Sequence, residues 1–158
     1  MALQGHYQNA YVTHDLDRAM ALTGPLFGLG PFSAFDVEMA LKTPLGEKTS
    51  RVRVATAWAG ALQVELIQPM SGYIDPYLHA LPADPDDAVP RLHHIAMRRD
   101  DPQAMRREAE SMGFPIAFES ESVGIGCIFV DTRARLGHLI EFVTATDAGW
   151  EMLGWPKG

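Results

Sequence analysis

Four residues in this 158-residue chain, Gln8, Glu65, His94 and Glu141, pair donor chemistry with unusual settings. Glu65 lies between Val64 and Leu66, and Glu141 between Ile140 and Phe142, so each carboxylate interrupts an apolar, strand-like run. Gln8 and His94 open two further runs, each seven residues ahead of an aspartate, Asp15 and Asp101. Side chains on a strand alternate faces with a period of two. If Ile95 and Met97 pack under a helix, then His94, Ala96 and Arg98 turn the other way, as Gln8, Ala10 and Val12 do in the equivalent run. The four side chains are expected to converge as pseudo-symmetric pairs, Gln8 with His94 and Glu65 with Glu141. Two enclosed carboxylates repel each other and lose hydration, so such a pair needs a cation or protons. A divalent metal held by both carboxylates, the imidazole and the amide oxygen makes a neutral assembly with positions left for water or substrate. Zn, Ni, Co, Mn or Fe(II) suits this mixed nitrogen and oxygen set.

The elements that must position these residues are read as two copies of one pattern. In the first, the run Gln8 to Asp15 precedes a helix from Leu16 to about Leu26 that stops at Gly28-Leu29-Gly30-Pro31. Strands over Phe32 to Met39, Arg51 to Trp58 and Ala61 to Gln68 follow. In the second, His94 to Asp101 precedes a helix from Pro102 to Met112 that stops at Gly113. Its strands are Pro115 to Ser122, Cys127 to Asp131 and His138 to Thr144. Asp15 and Asp101 stand where an N-cap carboxylate accepts orphan backbone hydrogen bonds, and Pro102 suits the first helical position. Between the copies, residues 81–90 hold three prolines and three aspartates and resist both helix and sheet.

The stretches Tyr7 to Met20, Val64 to Pro69, Leu92 to Ala96 and Gly137 to Phe142 resemble the vicinal oxygen chelate superfamily, over roughly residues 6–144. That superfamily includes glyoxalase I, methylmalonyl-CoA epimerase, extradiol dioxygenases and bleomycin resistance proteins. The resemblance implies an α+β, glyoxalase-like fold: two tandem βαβββ modules, about 6–70 and about 91–145, forming a curled mixed sheet around a cavity. The chain is then one domain over 1–158, with a linker at 81–90 and a tail at 145–158. The resemblance maps the metal ligands to Gln8, Glu65, His94 and Glu141. The order Gln, Glu, His, Glu is similar to glyoxalase I; it departs from the epimerases, which carry His first and Gln second, and from the dioxygenases, which use two His and one Glu. The implied activity is that of a metal-dependent lyase or isomerase of the glyoxalase or epimerase type. It acts on a small α-oxygenated carbonyl or acyl compound by proton abstraction and enediolate stabilisation, with one glutamate, Glu65 or Glu141, as base; the resemblance favours Glu141. The alternatives are a non-catalytic, resistance-type ligand-binding protein and an extradiol-type dioxygenase.

Other residues carry weaker expectations. Arg98, Phe35 and Trp58 are candidate substrate contacts, and His6 could replace the weak amide ligand Gln8. His93 is expected to face the helix layer, Arg99, Arg106 and Arg107 to form a basic edge, and Cys127 to pack within its strand. Thirteen Lys+Arg against twenty Asp+Glu give a formal charge of −7, which opposes nucleic acid and anionic membrane surfaces. One cysteine permits neither an intrachain disulfide nor a Cys-x-x-Cys metal site. Without a secretory leader pattern or a bilayer-spanning apolar run, a soluble cytoplasmic protein with a small-molecule substrate is expected. The tail with Trp150 and Trp155 suggests a homodimer.

Overall fold

The computed structural model describes residues 3–156. The elements are β1 (His6–Val12), α1 (Leu16–Phe27), β2 (Ser33–Thr43), β3 (Gly46–Ala59), β4 (Leu62–Gly72) and α2 (Asp75–Leu78). They continue as β5 (Arg91–Arg99), α3 (Pro102–Ser111), β6 (Ile116–Ser122), β7 (Ile125–Val130), α4 (Arg133–Leu136), β8 (Leu139–Ala145) and α5 (Asp147–Met152). The architecture is α+β, and strand, helix and three strands occur twice in that order. Packing divides the described chain into an N-terminal unit, residues 7–39 with 49–94, and a C-terminal unit, residues 40–48 and 95 onward together with the residues up to His6.

In the N-terminal unit the strand order is β1-β4-β3-β2, with β1 parallel to β4 and β4 antiparallel to β3. Asp15 caps α1 by accepting from Arg18 N at 3.0 Å, and Gly28 ends the helix in the left-handed region, φ 62°, where a side chain is strained. One sheet face packs on α1 through Leu16, Ala19, Ala55, Val64 and Leu66. On the opposite face Ala10, Val12, Val52, Val54 and Ile67 pack on Tyr77 of α2. The short α2 is absent from the sequence-based expectation, since four residues carry no periodic signal.

The C-terminal unit holds the end of β2, then β6, β7, β8 and the rest of β5. Asp101 caps α3 by accepting from Gln103 N at 2.8 Å and Ala104 N at 3.0 Å, with Pro102 opening the helix. Met105 and Ala109 of α3 pack on Met97, Ile128, Val130, Ile140 and Phe142, and Ile95 joins them. Strands β2 and β3 run further than expected because Thr43 Oγ1 closes their turn, donating to Gly46 O and accepting from Leu45 N. Thr146 caps α5 by accepting from Gly149 N at 3.1 Å. A Cβ on Gly149 would lie 2.5 Å from Gly124 O, so only glycine lets α5 approach this closely. Residues 157 and 158 of the expected tail lie outside the described residues. Among the described residues no helix is long and apolar enough to cross a membrane.

Met105 supplies the central contact between α3 and its sheet. Met105→Ala is expected to cost about 2–5 kcal/mol, through lost transfer energy plus a residual cavity. Urea titration should show a lower midpoint with an unchanged slope; a midpoint within error of the parent would contradict this packing role.

Candidate functional site

Along the N-terminal unit's sheet, the face turned from α1 changes character from one end to the other. Val12, Ile67, Val52 and Val54 make the apolar end under Tyr77. At the other end Gln8 stands opposite Gln63, Ala10 opposite Glu65, Thr56 opposite Glu65 and Trp58 opposite Gln63. Register partners point the same way, so the pleat sets Gln8, Gln63, Glu65 and half-buried Trp58 on one polar patch. The phase expected for Gln8 and Glu65 is the phase observed.

His94 of β5 meets this patch. Its Nε2 lies 3.3 Å from Gln8 Oε1 and 3.7 Å from Glu65 Oε2. Gln8 is oriented by its own amide, which donates to Gln63 Oε1 at 2.8 Å. On the far side of the ring, His94 Nδ1 lies 2.8 Å from His93 Nδ1, and His93 Nε2 lies 2.9 Å from Pro76 O in α2. His94, Gln8, Gln63 and His93 are all buried. Metal–ligand bonds of about 2.1 Å place neighbouring donors about 3.0–3.4 Å apart. The Nε2 to amide-oxygen spacing falls in that range and the Nε2 to carboxylate-oxygen spacing lies beyond it; the donor types are those a borderline divalent cation takes. Among the described residues no three His, Cys, Asp or Glu side chains gather as a metal-binding group. The third donor at His94 is an amide, which binds more weakly.

Glu141 belongs to the C-terminal unit. Ile140 and Phe142 face α3, so the pleat turns Glu141 to the other side, where its register partner is Phe129. Phe129 stacks on Phe118 with centroids 4.1 Å apart. Glu141 is only 6% exposed. Burial in these apolar surroundings disfavours the charged carboxylate and pushes its pKa up to about 7, while a hydrogen bond from the Cys127 thiol opposes the rise. Cys127, expected to pack passively, is thus a neighbour with an electrostatic effect.

The remaining candidates take varied places. Trp58 shares the polar patch, whereas Phe35 is 49% exposed on β2. His6 opens β1 and is exposed. The Arg98 guanidinium lies 4.6 Å from the ring centroids of both Trp150 and Trp155, and Asp100 pairs with it at 3.3 Å. The expected basic edge is largely paired within the chain: Arg99 bonds Glu108 and Arg106 bonds Glu119. A cavity of about 700 Å³ in the C-terminal unit lies among Leu41, Lys42, Met105, Arg106, Ser120 and Cys127, and none of the expected site residues lines it.

Two participants are missing from the sequence-based set, Gln63 and His93. Gln63 is two residues before Glu65 and shares its strand face, which is the signal that identifies it. His93, expected to face the helix layer, is covered by Pro76 and Tyr77 of α2, the Tyr77 ring stacking on it at 4.9 Å.

The family model described as the Glyoxalase/Bleomycin resistance protein/Dioxygenase superfamily matches residues 7–130. A search of curated protein sequences finds no match. Among solved structures, methylmalonyl-CoA epimerase from Mycobacterium tuberculosis is similar at 19% identity and TM-score 0.58, over 91% of this chain and 89% of that one. A methylmalonyl-CoA epimerase in complex with methylmalonyl-CoA and NH4+ is similar at 20% identity and TM-score 0.66, over 92% and 97%. A variant of the Streptomyces coelicolor methylmalonyl-CoA epimerase in complex with 2-nitronate-propionyl-CoA is similar at 20% identity and TM-score 0.65, over 90% and 98%. These likenesses show the glyoxalase-like α+β fold of paired βαβββ modules.

The buried Glu141 carboxyl has a measurable consequence in metal-free protein. Its folded pKa of about 7 stands above the ordinary 4.5, so between those values the folded state holds more protons than the unfolded one. Its contribution to stability is fully present below pH 4.5 and is lost as pH rises through 7. Glu141→Gln should therefore gain roughly 3 kcal/mol over the parent at pH 8 and little at pH 4.5. Urea unfolding with chelator across this range measures it; a pH-independent difference would show that Glu141 is not the titrating group.

Proposed function

Because the chain belongs to the glyoxalase/bleomycin resistance protein/dioxygenase superfamily, we propose that it is a metal-dependent lyase or isomerase of the glyoxalase or epimerase type. Its substrate is a small α-oxygenated carbonyl or acyl compound, and its chemistry is removal of a proton from the carbon beside the carbonyl. The observation that carries this reading is the convergence of His94 Nε2, Gln8 Oε1 and Glu65 Oε2 on one buried polar patch. Those three residues would hold a divalent cation, and Glu141 is proposed as the fourth ligand on the family resemblance. When bound, the cation supplies Lewis-acid stabilisation of negative charge on the substrate's oxygens.

The chain's own residues supply the rest. Glu141 accepts the substrate proton on a side-chain oxygen. Phe129, its register partner, stacks on Phe118 and gives the carboxylate an apolar neighbour. Gln63 holds the Gln8 amide so that Oε1 turns to His94. Trp58, on the same patch, offers an apolar wall for substrate. A homodimer is part of the same proposal and is checked by sedimentation.

Calorimetric titration with Zn2+, Mn2+, Co2+ and Ni2+ should give near-stoichiometric binding to at least one, and Glu65→Gln or His94→Ala should weaken it by about 100-fold or more. With that metal loaded, thiohemiacetals and acyl thioesters incubated in D2O should take up deuterium at the α-carbon. Glu141→Gln should slow this uptake by about 10²–10⁴-fold. A protein that binds no divalent cation and exchanges no α-proton would end the enzymatic reading. Ligand binding that survives full chelation would favour a non-catalytic binding protein.

A further inference from the structure

Three rungs of the β7–β8 pair lead away from Glu141 along one sheet face. Phe129 stands opposite Glu141, Cys127 opposite Val143, and Ile125 opposite Ala145. Glu141, Phe129 and Val143 are buried, so access along this face depends on what covers it. The third rung lies under α5. Gly149 fits there so closely that a Cβ on it would meet Gly124 O at 2.5 Å, Ala145 Cβ at 2.9 Å and Ile125 Cγ1 at 3.1 Å. Arg98 reaches the same segment from the neighbouring strand. Ile95 and Met97 of β5 pack with Ile140 and Phe142 on the α3 side, so the pleat turns Arg98 to the face that carries Glu141, and β5 lies beside β8. The Arg98 guanidinium rests 4.6 Å from each ring centroid of the Trp150–Trp155 pair, whose own centroids are 5.0 Å apart.

The two ends of α5 are held differently. At its base Thr146 N donates to Gly124 O at 2.8 Å, and Thr146 Oγ1 caps the helix. Within the helix only Gly149 and Trp150 are buried, and the far end is fastened by Trp155 N donating to Trp150 O and by Arg98 against both rings. A segment with so few buried residues opens more readily than the sheet beneath it. A guanidinium over two indoles is an interaction that must break when it does. We propose that α5 and Trp155 form a cap hinged at Thr146 on the end of the Glu141 face, that Arg98 latches this cap shut, and that release of the latch opens a path along the rungs to Cys127 and Glu141. Arg98 is then a positioning residue for the cap and not the substrate contact expected from its strand phase. The cap and its latch stand on this packing alone; their use in admitting substrate to Glu141 rests on the reaction given under Proposed function.

Hydrogen exchange on the full-length, metal-free protein reads the cap directly. The amides of Trp150, Leu153 and Trp155 donate to Thr146 O, Gly149 O and Trp150 O; they should exchange through a local opening that urea barely affects, well before the amides of β8. Arg98→Ala should speed them about 10-fold and leave β8 unchanged. Cys127, the chain's one cysteine, stands on the rung between α5 and Glu141 and reports access. Its alkylation by iodoacetamide, compared at one pH, should also be about 10-fold faster in Arg98→Ala. Gly149→Ala, which pries the helix off the third rung and keeps Arg98 and both tryptophans, should do the same. Cap amides that exchange only together with those of β8 in the parent protein would overturn the proposal, even if both variants failed to fold. So would a thiol that reacts at the parent rate in both variants, the outcome if the reagent reaches Cys127 through the neighbouring cavity. If the cap opens and the thiol responds while no acyl thioester exchanges its α-proton, the cap and its latch stand and the enzymatic reading falls instead.

Discussion

One string of hydrogen bonds disciplines the N-terminal unit. It runs from the Pro76 carbonyl through His93 and His94 to Gln8 and on to Gln63, tying α2, β5, β1 and β4 together. All four side chains in it are buried, and a buried polar group left unmet costs about 1–3 kcal/mol. The register of β1 on β4 therefore does more than pair backbones. A slip of β4 by one residue would turn Gln63 and Glu65 into the apolar layer under α1 and bring Val64 and Leu66 to the polar patch. Such a string is worth having only if every member is satisfied, which makes it a device for selecting one register as much as a source of stability.

That string also explains how one sheet face can be both core and site. The same face packs Val12, Ile67 and Val54 under Tyr77 and, two to four residues further along the strands, presents Gln8, Glu65 and His94. The apolar end excludes water from one side of His93 and strengthens the electrostatics of the contacts beyond it. Tyr77 belongs to both ends, packing on the valines and stacking on His93. The core is thus the support that holds the donor atoms in place, not a separate compartment.

Local and periodic signals made the elements legible in the sequence; contacts between distant segments did not. Asp15 and Asp101 act within three residues of themselves, and both cap the helices assigned to them. The alternation of Val64, Glu65 and Leu66 sets the faces of β4 from three residues of sequence. Nothing near His93 in the sequence announces that residues 76 and 77 cover it. Arg98 is the parallel case: its strand phase is simple, but its guanidinium meets two tryptophans some fifty residues later. The long β2–β3 hairpin was missed for a different reason, since Lys42 to Thr49 is polar and a solvated strand end reads like a loop.

The two glutamates show where pseudo-symmetry stops being informative. In sequence Glu65 and Glu141 are equivalent, each flanked by apolar residues in the last strand of its copy. In the structure their cross-strand neighbours differ. Glu65 stands across from Ala10 and Thr56, with an imidazole at 3.7 Å that can share a proton or a cation with it. Glu141 stands across from Phe129, and the Cys127 thiol opposes a burial that lifts it to about 7. Equivalent positions therefore sit in unequal surroundings, one beside polar groups and an imidazole, the other across from an aromatic ring. The asymmetry comes from the strands that face the two glutamates rather than from the strands that carry them.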